Sequence, residues 1–120
     1  MELLNVLGEK LEICGCKPMT GWYRDGYCQT DQNDFGIHTV CGVMTDDFLT
    51  YSKSIGNDLS APNPQFGFKG LSKDDHWCLC AGVWLKAFKA GHACPVILES
   101  THEETLAIIP LEYLKEYALK

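Results

Sequence analysis

Arginine is nearly missing from this chain: Arg24 is the only one in 120 residues, and 10 lysines and arginines face 16 aspartates and glutamates for a net charge of −6. Acids and bases are mixed along the sequence, so no basic stripe exists to neutralise phosphates, and nucleic acid is not an expected partner. Long apolar runs are missing too. Nothing approaches the ~20 continuous apolar residues needed to cross a bilayer, and Glu112 and Glu116 stand beside Lys115 on the last helix where a membrane-surface helix would be basic. No membrane partner is expected. The start, Met1-Glu2-Leu3-Leu4-Asn5, has an acid where a secretory signal has bases, so the chain reads as cytoplasmic. A Gly-rich phosphate loop, a Gly-x-Ser-x-Gly elbow and a His-Glu-x-x-His helix are all absent, which removes weight from those enzyme classes.

What is present fits one domain, residues 1–120. That length buries roughly two-thirds of the unfolded surface without staples, and 46% hydrophobic with 22% charged residues is an ordinary globular balance. Seven cysteines are many for this length, but the number is odd and no secretory signal is read, so most are expected to be free thiols.

Leu11 to Cys14 alternates like a short strand, and Asp25-Gly26 between aromatic arms predicts a hairpin turn that sets Cys28 opposite Tyr23. The β-branched run Ile37–Val43 predicts a buried strand. Thr45 then caps a helix with Asp46 and Asp47 in its first turn and Phe48, Leu49, Ser52 and Ile55 on one face, ending at Gly56. Residues 57–73 are too rich in Pro, Gly and Asn for regular structure. Asp74 or Asp75 is read as the cap of a second helix, in which Trp77, Cys80, Ala81, Trp84, Leu85 and Phe88 form an apolar stripe up to Gly91. Pro95–Glu99 is strand-like with Thr105–Ile109 as its hairpin partner, although Thr101 with Glu104 also fits a capping box. Pro110 opens a final helix with Leu111, Leu114 and Ala118 inward. The fold class is α+β: a two-layer domain with a small, mostly antiparallel sheet and hairpins, packed by about three helices.

Two short segments hold the chemistry, Gly36–Cys41 and His76–Cys80. A metal is not expected. Zinc ligands usually come as C-x2-4-C or H-x3-5-H pairs, and neither Cys14-x-Cys16 nor Cys78-x-Cys80 has that spacing. On a regular strand His38 and Cys41 face opposite sides, and on a helix Cys78 and Cys80 point about 200° apart. A reactive thiol is the other use. Cys78 lies off the apolar stripe and within the first turn of the expected helix, where the dipole favours a thiolate. Cys80 lies on the stripe and reads as core.

Leu11-x-x-Cys14, Pro18-x-Thr20-Gly21-Trp22-Tyr23-Arg24-Asp25-Gly26, Gly36–Met44, Asp46-Asp47-Phe48-Leu49, Gly56–Ser60, Trp77–Ala81, Pro95–Glu99 and Thr101-His102 together resemble the bacterial domain-of-unknown-function family 2237 over nearly the whole chain. The resemblance implies a small single-domain α+β protein and carries no established activity. That family often has a cysteine where this chain has Tyr27 and arginines where it has His76 and Val83. Those departures weaken a metal cluster near Cys28 and an anion pocket beside Trp77. The matching positions Arg24, Asp25, Cys28, His38, Cys41, Asn57, Asp58, Trp77, Cys78 and Cys80 form the candidate cluster.

Three readings follow. The first is a small-molecule-binding module, with Arg24, Asp25, Asn57, Asp58 and Trp77 around a pocket between the 57–73 loop and the start of the Trp77 helix. The second is a thiol-dependent enzyme with Cys78 or Cys41 as nucleophile and His38 or His76 as base. The third is a protein-interaction domain with an apolar patch at Phe66 and Phe68. No cofactor is expected.

Overall fold

A computed structural model describes residues 3–15, 20, 26–30, 37–61 and 70–119. The Trp22 to Asp25 arm of the expected hairpin, the ligand candidates Arg24 and Asp25, and the Phe66 and Phe68 patch lie outside them.

Strand β1 (His38–Val43) pairs antiparallel with β2 (His76–Cys80), and helix α1 (Asp46–Ser54) lies between them in sequence. Helix α2 (Ala81–Ala90) follows β2 directly, and α3 (Leu111–Glu116) closes the chain. The second edge of β1 is taken by residues 95–97, where the Val43 amide donates to the Pro95 carbonyl and the Ile97 amide to the Cys41 carbonyl, at 2.8 and 2.9 Å. Val96 bridges onward to Ala118, which ties the C-terminus into the sheet. Strands and helices are interleaved without a βαβ repeat, so the fold is α+β, as expected.

Helix α1 forms as the sequence predicts. Thr45 has an extended backbone, its hydroxyl accepts the Phe48 amide at 3.0 Å, and Asp46 and Asp47 occupy the first turn. That satisfies one orphan amide and places negative charge at the positive end of the dipole. Phe48, Leu49 and Ser52 are buried. The core gathers them with Val40, Met44, Leu79, Trp84, Val96, Ile109 and Leu114. Trp84 is fully buried and its indole N–H donates to the Cys94 carbonyl at 3.0 Å, so the largest core side chain leaves no polar atom unmatched.

Four expectations are corrected. The segment from His76 to Cys80 is a strand, and the helix begins only at Ala81. Trp77, Cys78 and Leu79 are all buried, and consecutive burial mimics a helical stripe when read from sequence alone. No hairpin joins 95–99 to 105–109. A 3-10 turn at Leu98–Ser100 and a 3-10 segment at Glu103–Ala107 stand there instead. The latter is capped by His102, whose ring accepts the Glu104 amide, rather than by Thr101. Residues 11–14 do not alternate: Leu11 and Cys14 are buried, whereas Glu12 and Ile13 between them are exposed. The cysteines are not mostly free either, because Cys14 is bonded to Cys41 and Cys28 to Cys78. Among the described residues no helix is long and apolar enough to cross a membrane.

Candidate functional site

The β1–β2 ladder sets the geometry. Cys41 faces Cys78, Gly42 faces Trp77 and Val43 faces His76, but the register slips between His38 and Val40, so that His38 faces Cys80. In a regular strand His38 and Cys41 are three residues apart and point to opposite faces. The bulge inserts one residue and reverses that parity, as bulges do when they re-aim a side chain. His38 and Cys41 therefore share a face with Cys78 and Cys80.

At one end of this face the His38 Nε2 lies 3.2 Å from the Cys80 sulfur. Both residues are half-buried, and Cys80 carries a free thiol. Cys80 is also the N-cap residue of α2, a ten-residue helix; its side chain takes no capping hydrogen bond, and it sits at the positive end of the helix dipole. The approach of imidazole to thiol is held by Ile37. Its carbonyl accepts the Ala81 amide at 3.1 Å and the Thr39 amide at 2.9 Å, which straps the start of β1 to the start of α2. Ile37 does this at φ 50°. For a β-branched residue that is a strained conformation costing about 1–3 kcal/mol, sustained by the surrounding bonds.

Further along the same face lie four buried half-cystines, Cys14, Cys28, Cys41 and Cys78. The Cα atoms of the Cys14–Cys41 pair are 5.7 Å apart and those of Cys28–Cys78 are 5.2 Å apart. The sulfurs of Cys14, Cys28 and Cys78 all lie within 4.8 Å of one another, so the two cystines are in contact. Threonines serve the backbone here. The Cys78 amide donates to the Thr20 hydroxyl at 2.7 Å, and the Cys41 amide to the Thr101 hydroxyl at 3.2 Å. His76 lies at the edge, its Nδ1 2.8 Å from the Cys14 carbonyl.

Cys41 and Cys78, the expected nucleophiles, are thus both half-cystines in this structure, and a sulfur held in a disulfide is not a thiolate. Among the described residues the free thiol beside a histidine is Cys80, which the helical reading had assigned to the core. Of the expected ligand residues, Trp77 is buried in the hydrophobic core. Asp58 is tied to Ser60, accepting both its amide at 3.1 Å and its hydroxyl at 2.7 Å, and that hydroxyl is the main reason its carboxyl titrates below the usual range. Asn57 closes α1, its carbonyl accepting the Ser52 hydroxyl. A surface groove of about 580 Å³ is lined on one side by Ser60, Leu71, Ser72 and Lys73, but α1 forms its other wall through Asp46, Thr50 and Lys53, and neither Trp77 nor Asp58 lines it. Among the described residues every buried side-chain nitrogen and oxygen has a partner, so no orphaned polar group marks a ligand pocket.

Two further groups escaped the sequence reading. His102 is buried; its Nδ1 accepts the Glu104 amide at 3.0 Å. Loss of hydration lowers its pKa from the ordinary 6.5, partly opposed by Glu104 and Glu103. Cys94 is a free thiol with no exposed surface, and burial pushes it up to about 12.

A small α+β protein with a paired-cystine core and a thiol–imidazole couple at the strand-to-helix junction is the class these features define. The chain belongs to the bacterial family described as "Uncharacterized protein conserved in bacteria (DUF2237)", whose model matches residues 4–118. No curated protein matches it.

Proposed function

We propose that this protein is a single-domain, cytoplasmic, thiol-dependent acyl-transfer enzyme with Cys80 as nucleophile and His38 as base. The observation that carries the reading is the 3.2 Å separation of the Cys80 sulfur and the His38 Nε2 at a half-exposed position. Nucleophile and base within hydrogen-bond reach are the signature of covalent thiol catalysis. In this scheme the Cys80 proton passes to His38, and the sulfur attacks the carbonyl carbon of a small acyl substrate. The oxyanion forms beside the first turn of α2, where amides and the helix dipole favour negative charge. The imidazolium returns its proton to the leaving group, and water then releases the acyl chain from sulfur. The small-molecule-binding reading survives as the need to hold such a substrate. Its expected ligands Trp77 and Asp58 are otherwise engaged.

The test maps alkylation of the native, non-reduced protein by iodoacetamide, cysteine by cysteine, and follows hydrolysis of a small activated ester. Cys80 is expected to react first and Cys94 hardly at all. His38→Gln is expected to slow both alkylation of Cys80 and ester turnover by about tenfold or more. Equal rates at Cys80 and Cys94, or a His38→Gln protein as fast as the parent, would sink the proposal.

A further inference from the structure

Cys14, Cys28, Cys41 and Cys78 hold more than a mechanical cross-link requires. Two separate disulfides need only two pairs in reach, yet here the Cys14 sulfur lies within 4.8 Å of both sulfurs of the other pair. We infer that, once reduced, these four sulfurs form one tetrahedral thiolate site for a single soft divalent cation of the zinc type.

The geometry is close to what such an ion takes. A zinc–sulfur bond of about 2.3 Å sets the sulfurs of a tetrahedral site a little under 4 Å apart. The sulfurs of Cys14, Cys28 and Cys78 already lie within 4.8 Å of one another, and Cys41 is held on Cys14 by their bond. Once the bonds are reduced, each pair opens from about 2.05 Å by somewhat under 2 Å to reach that spacing. Backbone pairing also brings the ligand segments together. Cys41 and Cys78 are facing residues of the β1–β2 ladder, so their spacing is fixed by backbone pairing. The Cys14 amide donates to the Gly26 carbonyl at 2.7 Å, which draws the segments bearing Cys14 and Cys28 together. The chemistry also selects a soft ion. All four donors are sulfur and each residue is at most 3% exposed, which suits zinc and disfavours the hard, hydrated cations that need oxygen ligands. The ligands come from four separate segments, and so no C-x2-4-C spacing announces them.

The two states exchange in a balanced way. A dithiol reductant gives two electrons and two protons to each disulfide and leaves as its own disulfide. The four thiols then lose four protons as the divalent ion binds. Metal binding and disulfide formation compete for the same sulfurs, so occupancy follows the redox state of the surroundings. This site is separate from the Cys80–His38 couple, and either proposal can fail alone.

The experiment reduces the wild-type protein anaerobically with a dithiol, removes the reductant, and titrates it with Co2+ and then Zn2+. Cysteine alkylation is mapped by mass spectrometry with and without zinc. The expected result is one Co2+ per chain with thiolate charge-transfer and tetrahedral visible bands, displacement by Zn2+, and loss of alkylation at Cys14, Cys28, Cys41 and Cys78 but not at Cys80. The non-reduced protein should show no such bands. A Cys80→Ser/Cys94→Ser protein should keep the full signal, and Cys14→Ser should lose it. The inference is overturned by absence of the bands in the reduced wild type, by the same bands in the oxidised protein, or by zinc protecting Cys16, Cys80 or Cys94 in place of these four. Because protection is read on the wild type, failure of a variant to fold cannot decide the outcome.

Discussion

Replacing Cys28 and Cys78 together by alanine removes a cross-link between residues 50 apart in sequence. In the chain-entropy account, freeing a loop of that length lowers stability by about 4 kcal/mol. The other cystine does not relieve the loss, because it offers no shorter route along the chain between positions 28 and 78. A 120-residue protein has an unfolding entropy of about 0.25 kcal/mol per kelvin, so the expected fall in Tm is about 15 °C. Circular dichroism melts of the double variant and of wild type, both in the absence of reductant, make the comparison. A Cys80→Ser protein serves as control and should melt within a few degrees of wild type, since its thiol is in no cross-link. A double variant that melts within about 3 °C of wild type would refute the reasoning, either because the bond is not formed in solution or because the unfolded chain is already constrained.

Burial of His102 makes stability depend on pH. The folded protein holds this ring neutral with a lowered pKa, so below about 6.5 the unfolded chain binds the proton first and stability is lost as the pH falls further. Urea midpoints at about pH 7 and about pH 5 should drop more in wild type than in His102→Gln, and parallel drops would count against the assignment. The same substitution at two glycines should have opposite signs. In Gly42→Ala the new Cβ meets the Leu79 Cδ1 at 2.6 Å and the Cys94 sulfur at 2.8 Å, which should cost about 1–3 kcal/mol. In Gly82→Ala it meets nothing within 4 Å on the first turn of α2, and should gain about 0.5–1 kcal/mol. Urea unfolding of both proteins decides it; a Gly42→Ala protein as stable as wild type would show that the space around β1 is looser than the distances say.

The legible elements are those whose signals are local. Thr45, the two aspartates after it and the Phe48, Leu49 and Ser52 face define α1 without help from the rest of the fold. Gly91 ends α2 where expected, at φ 84°, in the left-handed region that favours glycine. The strand at β1 was legible from its β-branched run. The start of α2 was not. Trp77 and Cys80 fall on the same helical stripe as Trp84 by spacing alone, and a strand buried on both faces shows no alternation to contradict it. That single misreading exchanged the roles of Cys78 and Cys80. His38 was legible as a candidate, but its meeting with Cys80 depends on the bulge before Val40, which leaves no mark in residue type. The cystine cluster joins positions up to 50 residues apart, and nothing in local spacing encodes such a convergence.

The two cystines interleave along the chain, Cys14 before Cys28 and Cys41 before Cys78. Any backbone cut between Cys14 and Cys78, including one in the exposed stretch after α1, falls inside at least one closed ring. A protease that nicks this span leaves the pieces tethered, and the molecule migrates as one species until a reductant is added. The span from 14 to 78 is a covalent loop whose integrity is written in sulfur as much as in peptide bonds, and its release as fragments becomes a redox event.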